Sequence, residues 1–506
     1  MSHLRSQPRV VVVGGSFAGL AACRHLKDYA DVTLIEPKEY FEYTPGILHL
    51  LTGSLSNNII LSQLNQVSGG AKIINGFFQG LKIKNREVIV KKLRHNENSD
   101  SNSDSVMKVP YDYVIIATGR PYTSPIRPPS TTFTLSQRNE IIKTFLNKIN
   151  SSNNIVVSGG GLVGVELVAE LAHRWKGKDK KINDKNDGDK IKKTISLITK
   201  SSLLSTLPSS AGQIAQTWLE SNEVKLYLQD EITSFEEIES NSNVNSNINS
   251  IAKSNMVITT KNGKTIHSDC FVDCTGGIYQ VPNSISTSSA TSEIISKIKS
   301  SSNKNVMSPY NEKGYVVVDE MLRSVQFPDV FAAGDVIQHA PDHLIRLGHA
   351  AGDRWSFGDK FQLPPVRNAH LAESQAEAVA KTILALSSSA SSSTQMNAHA
   401  YTPYPRSVFG SNYTPALACV SLGPNNGIVI FNDLVVGGVI FGIIGAFVKF
   451  FIERSKISEI RQERTGRLIW AMGHVISNFF HQISVFINEI FLRNKSKHRE
   501  KTFVIQ

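Results

Sequence analysis

The chain has 506 residues, 41% hydrophobic and 8% aromatic, with a formal net charge of +11. That length suits two to four domains with large buried cores. Four cysteines (Cys23, Cys270, Cys274 and Cys419) do not make a disulfide framework and point to a reducing compartment. The basic charge is local: Arg174 to Lys193 holds nine Lys or Arg against four acids, and Arg493 to Lys501 holds five against one. This argues against a specific nucleic-acid-binding face, and for loops or tails that meet solvent or an anionic membrane surface. The start, MSHLRSQPRV, lacks an apolar h-region, so no secretory signal or long transit peptide is expected.

Taken in order, Val10 to Val13 is a β-branched run that predicts a buried parallel strand. Gly14, Gly15, Ser16, Phe17, Ala18 and Gly19 make a tight turn, Leu20 to Tyr29 a helix, and Val32 to Ile35 a second strand closed by Glu36. Strand, glycine turn, helix, strand and acid form a dinucleotide-binding unit. Gly14 permits the turn, Gly19 lets helix and strand approach, and the helix N-terminus offers N–H groups to a pyrophosphate. Glu36 suits the adenosine ribose hydroxyls. The middle glycine of the fingerprint is replaced by Ser16. Ala71 to Val90 predicts strands, and Arg94 to Ser105 a disordered hairpin tip. An apolar strand in YDYVIIATGRP ends at Thr118 and Gly119.

A second unit opens at Asn154, with Gly159, Gly161 and Gly164 in a complete G-x-G-x-x-G. A helix over Leu162 to Trp175 and a strand over Thr194 to Ile198 follow, separated by a basic insertion. Two such units mean two dinucleotides. Ser/Asn-rich runs at Glu239 to Ser250, Ser284 to Asn305 and Ser387 to Asn397 read as surface loops. CFVDCTGG repeats the strand-then-Thr-Gly pattern, and its Cys270 and Cys274 share one strand face as core residues. VFAAGD ends in Gly334 and Asp335, where an aspartate at a strand end can bond a flavin's ribityl hydroxyls. Arg367 to Ala385 is expected to be a helix starting beside that site, with His370 in its first turn.

VVVGGSFAG, IIATG, SGGGLVGVE and VFAAGD, in that order, resemble the two-dinucleotide-binding flavoprotein oxidoreductases. GGSFAG, EYFEYTP, NAHLAESQA and TPALACVSLGPNNGIV narrow the resemblance to apoptosis-inducing-factor-like proteins of the ferroptosis-suppressor type, with type II NADH dehydrogenases next. The resemblance implies an α/β chain with two Rossmann-like dinucleotide-binding domains, the FAD domain discontinuous and the NAD(P)H domain inserted, plus a C-terminal region with amphipathic helices. The expected divisions are 1–150 and 276–386 for FAD, 151–275 for NAD(P)H, and 387–506 for a flavin-side and membrane-associating region. It implies FAD held by Gly14, Gly19, Glu36 and Asp335, and NADH or NADPH held by Gly159, Gly161, Gly164 and Glu166. Glu166 and Glu170 would face the nicotinamide–flavin contact, or Glu170 would be plain helix surface. His370 would protonate a quinone, or serve only packing or capping. The group often carries a C-terminal lysine near the flavin; Asn412 and Thr414 occupy that neighbourhood and no lysine is evident there.

The expected activity is hydride transfer from NAD(P)H to FAD and electron transfer to a quinone-type acceptor, with a slow redox-sensing or death-signalling protein as the alternative. At the end of the second unit's second strand, Thr199 and Lys200 do not repel a 2′-phosphate, so NADPH is expected to be tolerated. Leu434 to Ile452 carries one charge, Lys449; it is just long enough to span a bilayer, while its glycines favour the other reading, tight packing in the globule. Trp470 to Leu492 is an aromatic-rich apolar stripe followed by RNKSKHREK. It suits a membrane surface, or docking on the protein or on a second copy in a homodimer. The expected location is cytoplasmic and peripheral to a membrane, such as the mitochondrial outer membrane or a lipid-droplet face.

Overall fold

The computed structural model describes residues 7–93, 106–120, 122–179, 193–238, 255–276, 306–340, 369–389, 417–431 and 434–472. Arg94 to Ser105, Glu239 to Ser250, Ser284 to Asn305, Asn412, Thr414, the basic tail and most of Trp470 to Leu492 lie outside these residues.

Strand β1 (Arg9–Val13) leads through the glycine turn into α1 (Phe17–Leu26) and then β2 (Asp31–Ile35). The helix starts three residues earlier than the sequence pattern suggests. Ser16 already stands in extended backbone as the N-cap, so Phe17 to Gly19 take helical geometry. Short α2 (Ile47–Leu51), β3 (Lys72–Ile74), β4 (Tyr113–Ile116) and α3 (Leu135–Ser151) follow. The second unit runs β5 (Asn154–Ser158), α4 (Leu162–Asp179), β6 (Thr194–Thr199), β7 (Lys225–Leu228) and β8 (Cys270–Asp273). Then come β9 (Val330–Ala332), α5 (Ala369–Ser389), β10 (Leu417–Ser421), β11 (Gly427–Phe431), β12 (Leu434–Val436) and α6 (Gly438–Ile460).

Two parallel sheets result. One has the order β9-β4-β1-β2-β3, and the other β7-β6-β5-β8. Val10 to Val13 and Val114 to Ile116 are buried on both faces, the reason these strands read as unbroken apolar runs. Strand β9 arrives beside β4 long after the second sheet has been completed in the chain. Helix α1 packs along α5, which therefore covers the first sheet next to the glycine turn.

The segment read from Leu434 as one apolar run is two elements, a strand and a helix. Its glycines serve close packing: a Cβ on Gly445 would collide with the backbone of Gly427 in β11, and one on Gly442 with Asn426. Among the described residues, no helix is long and apolar enough to cross a membrane. Helix α6 instead presents Phe441, Ile443, Phe447 and Phe450 to the surface.

Candidate functional site

The first crevice lies where the carboxyl ends of β1, β4 and β9 meet the N-terminus of α1. Gly14 has φ +110°, and the Ala117 carbonyl fills the place a Cβ would take. A Cβ on Gly19 would run into the Gly14 carbonyl. Glu36 is buried at the end of β2; one carboxylate oxygen accepts the Gly15 N–H at 2.6 Å and the other the Lys38 N–H at 3.1 Å. Ser16 makes no side-chain cap bond to α1, so its hydroxyl is not used in holding the helix. Thr118 Oγ1 lies 3.2 Å from the Tyr310 hydroxyl, and nothing stands within 4 Å of a Cβ built on Gly119. Gln375 of α5 accepts the Gly334 N–H at 2.7 Å, and Asp335 comes next in the chain. Open space over Gly119, the helix N-terminus and a buried carboxylate form a cradle that fits an adenine dinucleotide.

The second crevice repeats this construction. Gly159 has φ +111°, with the Cys274 carbonyl 2.6 Å from its Cβ position, and Gly164 closes on the Gly159 carbonyl. Gly161 has nothing within 4 Å of its Cβ position. Thr199 is buried at the end of β6, its Oγ1 2.7 Å from the Cβ position of Gly160. Lys200 Nζ lies 2.5 Å from Glu231 Oε1, a carboxylate that the sequence pattern did not bring to this place. Cys270 and Cys274 are buried in and just after β8. Burial pushes the Cys270 thiol up to about 11 and the Cys274 thiol higher still.

Between the crevices lies a buried charged junction. Glu166 and Glu170 stand one turn apart on α4. Glu166 Oε1 accepts the Ser421 N–H at 2.8 Å and lies 2.7 Å from Lys449 Nζ of α6. Glu170 accepts from the hydroxyls of Ser54 at 3.2 Å and Ser421 at 3.3 Å. His49 of α2 lies between Glu170 and Glu453, 3.5 Å and 3.6 Å away. Glu170 is thus a buried, bonded group and not helix surface. Beside α5, Glu373 joins Arg24 of α1, at 3.4 Å, to Lys456 of α6, at 2.6 Å. Arg461, just past α6, donates to the carbonyls of Ile59 and Leu61. Helix α6 is therefore tied to both dinucleotide units.

These charges shape one another. Burial works against the Lys449 ammonium, but the Glu166 carboxylate beside it outweighs burial and holds its pKa above the usual lysine value. Burial raises Glu453 and Glu373 above the ordinary carboxylate range. Burial likewise raises Tyr43, helped by Glu453, Glu373 and Glu166. His370 sits in the first turn of α5, where its carbonyl accepts from Ser374 Oγ.

The sequence reading found no lysine in the neighbourhood of Asn412 and Thr414; α6 brings Lys449 to this junction instead. The signal was the lone charge in an apolar run, since a lysine there is either exposed or paired. His49, Ser421, Glu453, Gln375 and Glu231 had no such mark.

Residues 8–354 match the pyridine nucleotide-disulphide oxidoreductase family. Apoptosis-inducing factor homolog B of Dictyostelium discoideum is 24% identical over 329 residues, covering 65% of this chain and 74% of its own. Ferroptosis suppressor protein 1 of Xenopus tropicalis is 24% identical over 334 residues, covering 65% and 73%. NDH2 from Plasmodium falciparum, solved in complex with NADH, has the same fold, with a TM-score of 0.59 and 16% identity over 90% of this chain and 97% of that one. The two glycine-lined crevices on parallel sheets agree with this match, and the chain belongs to the pyridine nucleotide-disulphide oxidoreductase family as an FAD- and NAD(P)-dependent oxidoreductase.

Proposed function

We propose that the protein is an NAD(P)H:quinone oxidoreductase working at a membrane surface. The observation that carries this reading is the two-sidedness of α6. One side delivers Lys449 to Glu166 at the junction of the crevices, and the other shows Phe441, Ile443, Phe447 and Phe450 to the surface. A helix that joins a redox junction to an apolar surface suits an acceptor dissolved in lipid.

In this reading Gly14, Gly15, Ser16, Phe17, Ala18, Gly19, Glu36, Thr118, Gly119, Gly334 and Asp335 hold FAD. Gly159, Gly161, Gly164, Thr199 and Lys200 hold the nicotinamide nucleotide. When bound, FAD takes a hydride from the nicotinamide and gives electrons onward. The chain's own work is to orient the two nucleotides, exclude water and place charge. Glu166 and Lys449 set the potential between the crevices, and the N-terminus of α5, with His370, faces the first crevice with partial positive charge. Disulfide chemistry is not part of this reading: Cys23, the one cysteine before residue 270, is buried in α1 with its thiol pushed up to about 12 by burial.

To test this, the purified protein is given NAD(P)H and a quinone in lipid vesicles. A yellow protein that sediments with the vesicles and oxidises NAD(P)H in a quinone-dependent way is expected. A colourless protein, or one indifferent to quinone, overturns the reading.

Nucleotide preference rests on Lys200. Glu231 draws that ammonium toward itself, so Glu231→Gln should raise the NADPH-to-NADH ratio of kcat/KM roughly tenfold, about 1.4 kcal/mol. Stability should stay within about 1 kcal/mol, because the pair is exposed. An unchanged ratio removes Lys200 from the ribose site.

A further inference from the structure

We propose that His49 stores and delivers the solvent proton that quinone reduction consumes, through the chain Glu453–His49–Glu170. This rests on the quinone-reductase reading above. A quinone becomes a quinol by taking two electrons and two protons. NAD(P)H supplies a hydride, which is two electrons and one proton, so one further proton enters from water at each turnover.

His49 is placed for that task. It lies on α2 of the first unit, and α2 packs against α3 and α4. Its ring stands between carboxylates from two other parts of the chain: Nδ1 is 3.5 Å from Glu170 Oε1 of α4, and Nε2 is 3.6 Å from Glu453 Oε2 of α6. A neutral imidazole has one N–H and cannot donate to both; the protonated ring can. At these separations a shift of about half an ångström brings either nitrogen to hydrogen-bond distance. The two carboxylates are almost wholly buried, at 1% and 6% side-chain exposure, while the ring keeps 16% open to water. The ring is therefore the group of the three through which a proton can enter.

The other charges around the ring come from every element that meets it. Helix α4 contributes Glu166 and, next to Gly53, Arg174, which is bonded to Asn150; α6 contributes Lys449 and Arg454, whose guanidinium lies over Phe450. Tyr43 and Cys419 are neutral there, both raised by burial. Of all the groups around the ring, the two carboxylates that flank it bear on it most directly. Burial works against the histidine cation, but Glu170 and Glu453 outweigh burial and Lys449, and the His49 pKa is raised above its ordinary 6.5.

The step is a simple proton transfer. The Nδ1–H bond breaks and an O–H bond forms at Glu170 Oε1. Ser421 Oγ, 3.3 Å from Glu170, takes that proton as its own hydroxyl proton passes to the quinone oxygen being reduced, while the Ser421 N–H stays on Glu166 and holds the serine in place. The ring is left neutral with its remaining proton on Nε2 toward Glu453, and water reprotonates Nδ1. Nothing is oxidised or reduced in this chain. His49 acts through Glu170 and is a positioning residue.

The test uses the full-length FAD-bound protein as wild type, His49→Gln and Glu453→Gln. Each is assayed from pH 5.5 to 9 with a short-chain quinone and with ferricyanide, which takes electrons without protons. For His49→Gln the quinone-to-ferricyanide rate ratio should fall about tenfold, the lower end for proton-transfer catalysis acting at one remove. The wild-type quinone rate should decline as pH rises through the His49 pKa, and that decline should vanish in His49→Gln.

A second readout does not depend on turnover. In histidine-labelled protein, the imidazole NMR signal absent from His49→Gln should titrate above 6.5 in wild type and lower in Glu453→Gln. By linkage, a raised histidine pKa stabilises the fold fully below the unfolded value and loses that effect as pH rises through the folded value. The stability gap between wild type and His49→Gln should therefore be largest near pH 6 and shrink above it. An unchanged rate ratio and pH profile in His49→Gln, or a His49 signal that titrates below 6.5, overturns the relay alone. A wild type active with ferricyanide but not with quinone overturns the quinone reading and the relay with it.

Discussion

Gly19→Ala will leave the protein without FAD and destabilised by about 3 kcal/mol or more. The added methyl meets backbone, not a side chain that can rotate away: it runs into the Gly14 carbonyl, with Val12 Cγ1 3.4 Å behind. To make room, α1 must move off β1. It would carry Leu20, Ala21 and Cys23 out of a fully packed core and pull away from α5. Overpacking of this kind costs roughly 1–3 kcal/mol by itself. Loss of a tightly held cofactor adds to the apparent loss, since ligand binding to the native state stabilises by mass action. The readouts are flavin absorbance per polypeptide and the thermal midpoint.

The control is Gly161→Ala. That position is also a fingerprint glycine, yet nothing lies within 4 Å of its Cβ. Its thermal midpoint should stay within about 1 °C of wild type. Its KM for NAD(P)H should rise about tenfold or more, because the methyl occupies space meant for a pyrophosphate. A Gly19→Ala protein that keeps stoichiometric flavin, or a Gly161→Ala protein that melts early, contradicts this division between packing and binding.

The second large effect is at the junction. Lys449→Met strands Glu166 at a site where both partners are mostly buried, at 16% and 11% side-chain exposure. Among the described residues, the Ser421 N–H then remains to meet the charge. Removing one partner of a buried pair costs about 3–5 kcal/mol, chiefly because the other is left uncompensated. Adding Glu166→Gln should return most of that loss, since both charges are then gone. Urea unfolding of wild type, both single variants and the double variant gives the coupling directly. If the double variant is no more stable than Lys449→Met, the pair is not what holds α6 to α4.

The two crevices were legible in the sequence because each is local. Strand, turn, helix and acid follow within about forty residues, and Gly19 and Gly164 answer to Gly14 and Gly159 in the same stretch, though Gly14 and Gly159 themselves meet the distant carbonyls of Ala117 and Cys274. The junction was not local. Ser421 meets Glu166 across 255 sequence positions, and Lys449 meets it across 283. No periodicity encodes such distances. His49 sits in the apolar run ILHLL, where nothing distinguishes it from a histidine of the core. Lys200 illustrates a further limit: read alone it is a free cation, but Glu231, from the loop after β7, changes what it offers a nucleotide. The glycines of α6 fitted two readings in the sequence, and only their contact with Gly427 and Asn426 decides for packing.

The late arrival of β9 sets an order of events during synthesis. Strand β4 ends at Ile116, but its neighbour Val330–Ala332 emerges roughly 200 residues later, after the whole second sheet. At about 5–20 residues per second on the ribosome, the edge of β4 waits some 10–40 s for its partner. During that time Tyr113 to Ile116, an apolar edge, is open to wrong pairing. The second unit can close first, while the first stays incomplete until Asp335 is made, and the charged junction waits longer still, for Lys449 and Glu453. Flavin capture is thus a late step, and the nascent chain depends on protection of one short apolar edge until then.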